Sequence, residues 1–149
     1  VLRYKEKMRL VLKILAAVIA IVLVWVGSVF GISELGGEVV TLSRIESDNS
    51  VKKIRIWIVD DNNKSYIEHG DEDSYWMEMA KQGAVISLER GGVERRYFAR
   101  ADSDSHDMYH QLRRKKYNHA DALLEYISFG AMSTENCHGI PVILIETRI

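Results

Sequence analysis

Two histidines four residues apart are the first side chains in this sequence whose spacing suits chemistry. His106 and His110 follow the capping residue Ser105 in a segment of helical periodicity, so their imidazoles would share one helix face. Such a pair supplies two zinc ligands, but a zinc site needs at least one more. The HExxH pattern is missing and no third ligand is obvious, so the sequence predicts no metal site.

Other reactive side chains have plain structural interpretations. The single cysteine, Cys137, adjoins His138, but a thiol nucleophile needs its base close in space rather than in sequence. We therefore expect a buried or inert thiol, and one cysteine excludes an internal disulfide. The acidic run 71–73 lacks the alternating oxygen ligands of a calcium loop, which favours helix capping.

Three cations on one predicted strand suit an anionic ligand. Lys52, Lys53 and Arg55 could hold a phosphate or a carboxylate at the start of an alternating apolar segment. A solvated basic strand edge, which deters aggregation, explains the same residues. The sequence leaves both interpretations open.

The elements that position these residues follow from periodicity and turn signals. Alternation with β-branched residues predicts strands over 38–46, 52–60, 64–69, 84–90, 93–101 and 140–147. Helical spacing predicts one helix between the acidic run and Gly83, one between Ser105 and Asn118, and one over 120–129. Strands joined mostly by hairpins favour an antiparallel barrel or a strongly curved sheet.

The front of the chain predicts a membrane anchor. Ile14 to Ser33 contains no charged residue and has about the 20 residues that a helix needs to cross a bilayer. Five basic residues precede it, so residues 1–33 form a cytoplasmic stub and a single-pass anchor in the inner or plasma membrane. The domain over 34–149 would then face the periplasm or the cell exterior. A cleaved signal peptide is the alternative.

The composition of the chain indicates which kinds of binding partner to expect. The formal net charge of -1 gives no bulk electrostatic case for binding nucleic acid. The residues that follow the anchor are enough for one domain and not for two. We expect contact with membrane lipid through the single helix, and a small organic ligand for the domain.

In this order the segments resemble the split β-barrel oxidoreductases, namely the deazaflavin-dependent nitroreductase family and its pyridoxamine-phosphate-oxidase-like, FMN-binding relatives. Four pieces between about 39 and 148 carry the resemblance: VVTLSRIESDNSVKKIRIWIVDD, YIEHGDEDSYWMEMAKQGAVISLE, the Gly-Gly hairpin into RRYFARAD with its following helix, and PVILIET. The resemblance implies an α+β, mainly β domain. Its core would be a six-stranded antiparallel split β-barrel with about three short helices, preceded by the transmembrane helix.

The resemblance also implies a cofactor cleft near the first turn and the glycine loop. The cofactor would be FMN or a deazaflavin, from which hydride passes to a small organic acceptor. The implied cofactor-binding residues are Lys52, Lys53, Arg55, Trp57, His69, Gly70, Ser74 and Trp76. Lys52, Lys53 and Arg55 would anchor the cofactor. Ser74 would form a hydrogen bond with it, and the two tryptophans would flank its ring, although packing in the core is the commoner use of aromatic side chains.

Two departures from the family pattern favour a second hypothesis. The turn over 46–50 lacks the family's glycines, and the acidic run 71–73 would repel a cofactor phosphate by about 1 kcal/mol per pair at roughly 4 Å. The alternative is therefore a non-catalytic, membrane-anchored ligand-binding or assembly domain that has lost the cofactor. Under either hypothesis the resemblance implies a homodimer with the cleft at its interface.

Overall fold

One curled antiparallel sheet forms the centre of the computed structural model, which describes residues 2–70 and 72–147 of the chain. The strands are β1 (Val39–Ile45), β2 (Val51–Trp57), β3 (Val59–Asp61), β4 (Lys64–His69), β5 (Ala84–Arg90), β6 (Val93–Ala101) and β7 (Ile140–Glu146). Their order in the sheet is β2-β1-β5-β6-β7-β4-β3, and every neighbouring pair is antiparallel. The predicted α+β class and antiparallel sheet are confirmed.

The sheet curls because two strands at its opposite ends are consecutive in the chain. Only Ile58 separates β2 from β3, yet these strands form the two edges of the sheet. A single residue cannot cross an open sheet of seven strands, whose neighbours lie about 4.8 Å apart, so the edges must come together. The result is a half-barrel.

The break at Ile58 corrects the predicted number of strands from six to seven. The segment 52–60 alternates like one strand, but its backbone leaves the ladder at the fully buried Ile58. The hydroxyl of Tyr117 donates to the carbonyl of Ile58 and accepts from its N–H at 3.3 Å. The ammonium of Lys116 donates to the same carbonyl at 2.8 Å. A side chain distant in sequence therefore satisfies the backbone groups that a strand partner would have taken.

Alternation of side chains along the strands fills the inside of the half-barrel. Val40 and Leu42 of β1 are fully buried, as are Ile67 of β4 and Leu88 of β5. A helix, α2 (Tyr75–Gln82), packs Trp76 and two further residues into the same core. The inward faces of the strands are thus mostly apolar, with the buried Arg44 of β1 as an exception, and the outward faces are free to carry polar groups.

Two further helices cover one outer side of the sheet. They are α3 (His106–Tyr117) and α4 (His119–Ile127), and with α2 they confirm the three predicted soluble helices. A second apolar cluster, centred on Trp57, Tyr66, Tyr109 and Tyr117, fills the space between these helices and the sheet. The ring centroids of Trp57 and Tyr117 lie 4.4 Å apart.

A long N-terminal helix, α1 (Leu2–Leu35), runs directly into the domain. Among the described residues, Lys5–Leu35 is the one helix long and apolar enough to cross a membrane, judged by length and composition. Its last third touches the domain, since the Trp25 indole donates to the carbonyl of Ile127 at 3.1 Å. The Trp57 indole also donates to the carbonyl of Ser33 at 2.6 Å.

Candidate functional site

An open groove of about 440 Å³ lies on the outer face of β1, β2, β5 and β6, the side that α3 and α4 leave uncovered. Apolar side chains make most of its walls, among them Val51, Val85 and Ile86. Trp76, which is only 2% exposed, forms part of its floor together with Met79. A groove of this kind suits a flat ligand that is partly apolar.

Four polar residues cross the groove in one row. The strand registers pair Lys53 with Ser43, Ser43 with Ser87, and Ser87 with Arg96. We call Lys53, Ser43, Ser87 and Arg96 the cross-strand row. Adjacent strands lie about 4.8 Å apart, so the row places two hydroxyls between two cations whose backbones are roughly 14 Å apart.

The cations of the cross-strand row are available to a ligand. The side chains of Lys53 and Arg96 are exposed, and no carboxylate in the described part of the chain forms an ion pair with either. Glu94 also lines the groove, but it accepts a hydrogen bond from the hydroxyl of Ser87. The groove therefore has a positive charge at each end and hydroxyl groups between.

The structure brings two of the predicted cofactor-binding residues together and places others elsewhere. Lys53 and Trp76 share the groove. Lys52 is exposed and, as its neighbour in β2, points to the opposite face of the strand. Arg55 forms an ion pair with Glu34 at 2.5 Å. Trp57 is buried against Tyr117, on the side of the sheet that the helices cover.

The remaining predicted residues lie before α2. The backbone of His69 pairs with Ile140 at the end of β4, while its side chain falls outside the described part of the structure, as does Asp71. Gly70 is in an exposed bend. Ser74 is the N-cap residue of α2, and its carbonyl accepts the N–H of Met77 at 2.9 Å. Neither Gly70 nor Ser74 lines the groove.

A second cluster of reactive side chains lies on the covered side of the sheet, with one member buried and three partly buried. Glu68 of β4 meets His106 and His110 of α3, and Cys137 reaches them from the loop before β7. The Oε1 atom of Glu68 lies 3.1 Å from Nε2 of His110 and 3.6 Å from Nε2 of His106. We call these four residues the Glu-His-His-Cys cluster.

Charges within this cluster affect one another strongly. Burial disfavours the charged form of His110, but close contacts with Cys137 and Glu68 outweigh burial and raise its pKa to about 9. On the other side, Arg113 lies 3.4 Å from Oε2 of Glu68 and 2.6 Å from Oδ1 of the buried Asp121. The cluster is thus held between a helix pair and β4 by ionic contacts.

A third polar group closes the barrel near β3. Arg90 pairs with Asp60 at 2.7 Å and with Glu38 at 2.6 Å, and Lys116 contacts both carboxylates. The Arg90 guanidinium holds the pKa of Asp60 well below its ordinary range, and the hydroxyl of Ser65 and Lys116 add to the effect. All these charges are paired, which indicates a structural role.

Sequence reasoning missed residues that only strand register or long-range contact could supply. Nothing in the sequence around Ser43, Ser87 and Arg96 marks them as members of one site, and only the pairing of β1, β5 and β6 aligns them with Lys53. The i, i+4 histidines gave a signal for the second cluster. Its other members are distant in sequence. Glu68 lies at least 38 residues before the two histidines, and Cys137 lies at least 27 residues after them.

The curled antiparallel sheet with helices on one side is a half-barrel of the kind that the sequence resemblance predicts. No protein-family model matches the chain, and no curated protein is similar to it in sequence. Three solved structures are among those similar in shape. A protein of Listeria innocua, classed as a pyridoxamine 5′-phosphate oxidase, has 11% identity and a TM-score of 0.48, over 82% of this chain and 93% of that one.

The other two similar structures have lower scores. A protein of Bacteroides thetaiotaomicron, classed as a 5-nitroimidazole antibiotic resistance protein, has 8% identity and a TM-score of 0.47, over 78% of this chain and 76% of that one. An F420 reductase has 8% identity and a TM-score of 0.41, over 74% of this chain and 87% of that one.

Proposed function

We propose that this protein is a membrane-anchored split-barrel domain that binds a flat, anionic cofactor of the flavin or deazaflavin class in the outer groove. With that cofactor it would transfer hydride to a small organic acceptor. The observation that carries the proposal is the cross-strand row, which sets two unpaired cations and two hydroxyls across an apolar groove. The sequence resemblance supplies the class of cofactor.

The residues of the groove fit such a ligand. A volume of about 440 Å³ lies within the range of roughly 300–1,000 Å³ typical of small-molecule sites. Lys53 or Arg96 would hold a phosphate or carboxylate, and the hydroxyls of Ser43 and Ser87 would bond the polar edge of a heterocycle. The bound cofactor supplies the hydride chemistry, while the chain binds it, orients it and sets the local polarity. Trp76 supports the floor beneath the ring.

A second copy of the chain would close the groove. Three outward apolar residues lie in register beside it, since Val85 pairs with Phe98 and Phe98 pairs with Ile145. They are 48%, 40% and 46% exposed, which leaves a contiguous apolar strip on the surface. Such strips commonly mark protein interfaces. We therefore include a homodimer, with the groove at its interface, in the proposal.

The anchor in this proposal is α1, with the N-terminus cytoplasmic and the domain on the far side of the membrane. The contact between Trp25 and Ile127 leaves residues 14–24 of the charge-free stretch clear of the domain, or about 16 Å of helix. That length is about half of the roughly 30 Å hydrocarbon core, so residues 25–33 and the adjoining surface of the domain would also enter the membrane. On that surface Tyr126, near the end of α4, and Phe129, just after it, are 81% and 88% exposed. Aromatic side chains favour the membrane interface, so this end of α4 would rest in it.

A cofactor titration with matched lysine variants tests the groove. FMN and a deazaflavin are titrated into the full chain in detergent, and binding is followed by quenching of cofactor fluorescence. Lys53→Ala removes a charged contact of about 1.5–3 kcal/mol and should weaken binding roughly 10- to 100-fold. Lys52→Ala removes the adjacent lysine on the other face and should leave the affinity unchanged. Equal affinities for the two variants would contradict the assignment.

Glu94 favours the alternative that the domain is non-catalytic and has lost the cofactor. Its carboxylate lies in the groove near one cation of the row, where it would oppose a phosphate. Under this alternative the groove holds another small organic ligand, and the folded wild-type chain binds neither FMN nor the deazaflavin in the same titration. Glu94→Gln should then leave that result unchanged, whereas it should strengthen cofactor binding if the first proposal holds.

A further inference from the structure

We propose that the Glu-His-His-Cys cluster is a structural zinc site. Its four members offer one carboxylate oxygen, two imidazole nitrogens and one thiolate sulfur, all within 4.8 Å of one another. They come from three separate parts of the fold, namely β4, α3 and the loop before β7. This site is separate from the groove, and the proposal does not depend on the groove's ligand.

The distances match those of a tetrahedral site. Zinc bonds of about 2.0–2.3 Å at tetrahedral angles separate neighbouring ligand atoms by roughly 3.3–3.8 Å. Oε1 of Glu68 lies 3.1 Å from Nε2 of His110 and 3.6 Å from Nε2 of His106. The imidazole centroids lie 4.5 Å apart and their planes are tilted by 53°, so the rings converge on one space without stacking. Shifts of about an ångström would complete the tetrahedron.

Buried atoms in the cluster lack the partners that they need. Within the described part of the chain, Oε1 of Glu68 and Nε2 of both histidines are buried and make no hydrogen bond of acceptable geometry. The side chain of Glu68 is 9% exposed and that of His110 is 3% exposed. Buried polar atoms without partners are costly, and three of them facing one point indicate a missing partner common to all three. A cation satisfies that requirement.

The surroundings orient the ligands as the outer shell of a metal site does. Arg113 contacts Oε2 of Glu68 at 3.4 Å, which leaves Oε1 for the metal. Arg113 is itself fixed by Asp121 and by the carbonyl of Met132 at 2.7 Å. The N–H of Gly139 donates to the sulfur of Cys137 at 3.4 Å, a contact that would also stabilise a thiolate. Such outer contacts hold first-shell ligands in place.

The donor set selects zinc among common cations. A thiolate and two imidazoles disfavour magnesium, calcium and manganese, which prefer oxygen ligands. Four protein ligands leave no open position, and closed sites of this type are structural rather than catalytic. The zinc would join β4 to α3 and, through Cys137, to the irregular segment 128–139. It would also explain why the lone cysteine is directed toward a carboxylate.

Cobalt substitution tests the site directly. The full chain in detergent is stripped with a chelator and titrated with Co²⁺ alone, then with Zn²⁺ as a competitor. We expect one equivalent of Co²⁺ to produce the visible bands of tetrahedral cobalt and a near-ultraviolet thiolate charge-transfer band, and one equivalent of Zn²⁺ to remove both. Cys137→Ser should abolish the charge-transfer band. His110→Ala should lower zinc affinity by more than the roughly 10- to 100-fold that loss of an outer-shell partner costs.

His138→Ala is the matched control, since His138 adjoins Cys137 but lies outside the cluster. It should leave the cobalt spectrum and the zinc affinity unchanged. Because His110→Ala could impair folding, the spectrum of the wild-type chain is decisive by itself. A folded wild-type chain without a thiolate band, or equal losses for His138→Ala and His106→Ala, would overturn the proposal. Stoichiometric copper with an intense blue colour in the purified protein would overturn the choice of zinc.

Discussion

The two outer sides of the curled sheet differ in whether their charged side chains have ionic partners. On the side covered by α3 and α4, Arg113 is 6% exposed and contacts both Glu68 and Asp121, so each of these charges has a buried partner. On the open side, Lys53 and Arg96 are exposed and have no carboxylate partner in the described chain. One sheet thus carries a closed ionic network at β4 and, in the described part of the chain, cations without carboxylate partners at β2 and β6.

This difference separates residues that hold the fold from residues that can hold a ligand. A buried charge without its partner is costly, so the covered network should dominate stability. An exposed cation costs little to keep or to remove, so the open row should affect binding without affecting folding. The predictions that follow use variants on both sides.

The largest effect is expected at Arg113. Arg113→Met removes the buried cation that contacts both Glu68 and Asp121 and leaves Asp121 with the half-exposed Arg114, and we expect a loss of about 3–5 kcal/mol in the free energy of unfolding. Denaturant titration of the full chain in detergent measures it. Arg95→Ala, which removes an exposed pair with Glu146, is the control and should cost no more than about 1 kcal/mol. If both variants lost a similar free energy of unfolding, the buried network would contribute no more to stability than an exposed ion pair.

The next effect is expected at Tyr117, which satisfies the backbone where β2 and β3 separate. Tyr117→Phe leaves the buried N–H of Ile58 without its side-chain partner, at a cost of about 1–3 kcal/mol. The same unfolding experiment checks it. Tyr126→Phe removes a hydroxyl from a side chain that is 81% exposed, and it should change stability by less than about 0.5 kcal/mol. If the two variants lose the same free energy of unfolding, Tyr117 does not stabilise the break between β2 and β3.

Acid should destabilise the ionic group near β3. The pKa of Asp60 is lowered in the folded state by Arg90, so its stabilisation is present above the ordinary aspartate pKa of about 3.9 and is lost as the pH falls below it. Melting temperatures between roughly pH 7 and pH 3 should therefore fall at the acid end. Asp60→Asn should flatten this fall, whereas Asp104→Asn on the exposed turn should not. An equal fall of the melting temperature in both variants would exclude Asp60 as a cause of the acid destabilisation.

The smallest effect on stability is expected in the groove. Arg96→Ala should change the free energy of unfolding by less than about 0.5 kcal/mol, because the side chain is exposed and has no ion-pair partner within the described part of the chain. The same variant should weaken the binding of an anionic ligand. A large loss of stability would show that Arg96 belongs to the fold rather than to the site.

The sequence predicts elements better than it predicts their alignment. Strands β4, β5 and β6 begin and end at the predicted residues, because alternation and turn residues are local signals. The break at Ile58 could not be predicted, since the side chain that stabilises it, Tyr117, lies 59 residues away. The count of six strands was wrong for this reason.

The candidate sites show the same division. Lys53 and Trp76 were carried over from the family resemblance, and both line the groove. The positions of Ser43, Ser87 and Arg96 beside Lys53 depend on the registers of three strand pairs. The pattern within a single strand does not determine its register against a neighbour. In the second cluster the histidine pair was visible, while Glu68 became its neighbour only through folding.

The central claim is that the open row holds a flavin-like cofactor. The most direct measurement is an absorption and fluorescence spectrum of the full-length protein, extracted gently from its native membrane, with mass analysis of any chromophore released on denaturation. The account predicts a visible band from a flavin or deazaflavin, lost from Lys53→Ala and kept in Lys52→Ala. A colourless, folded wild-type protein that also ignores added flavin and deazaflavin would contradict it.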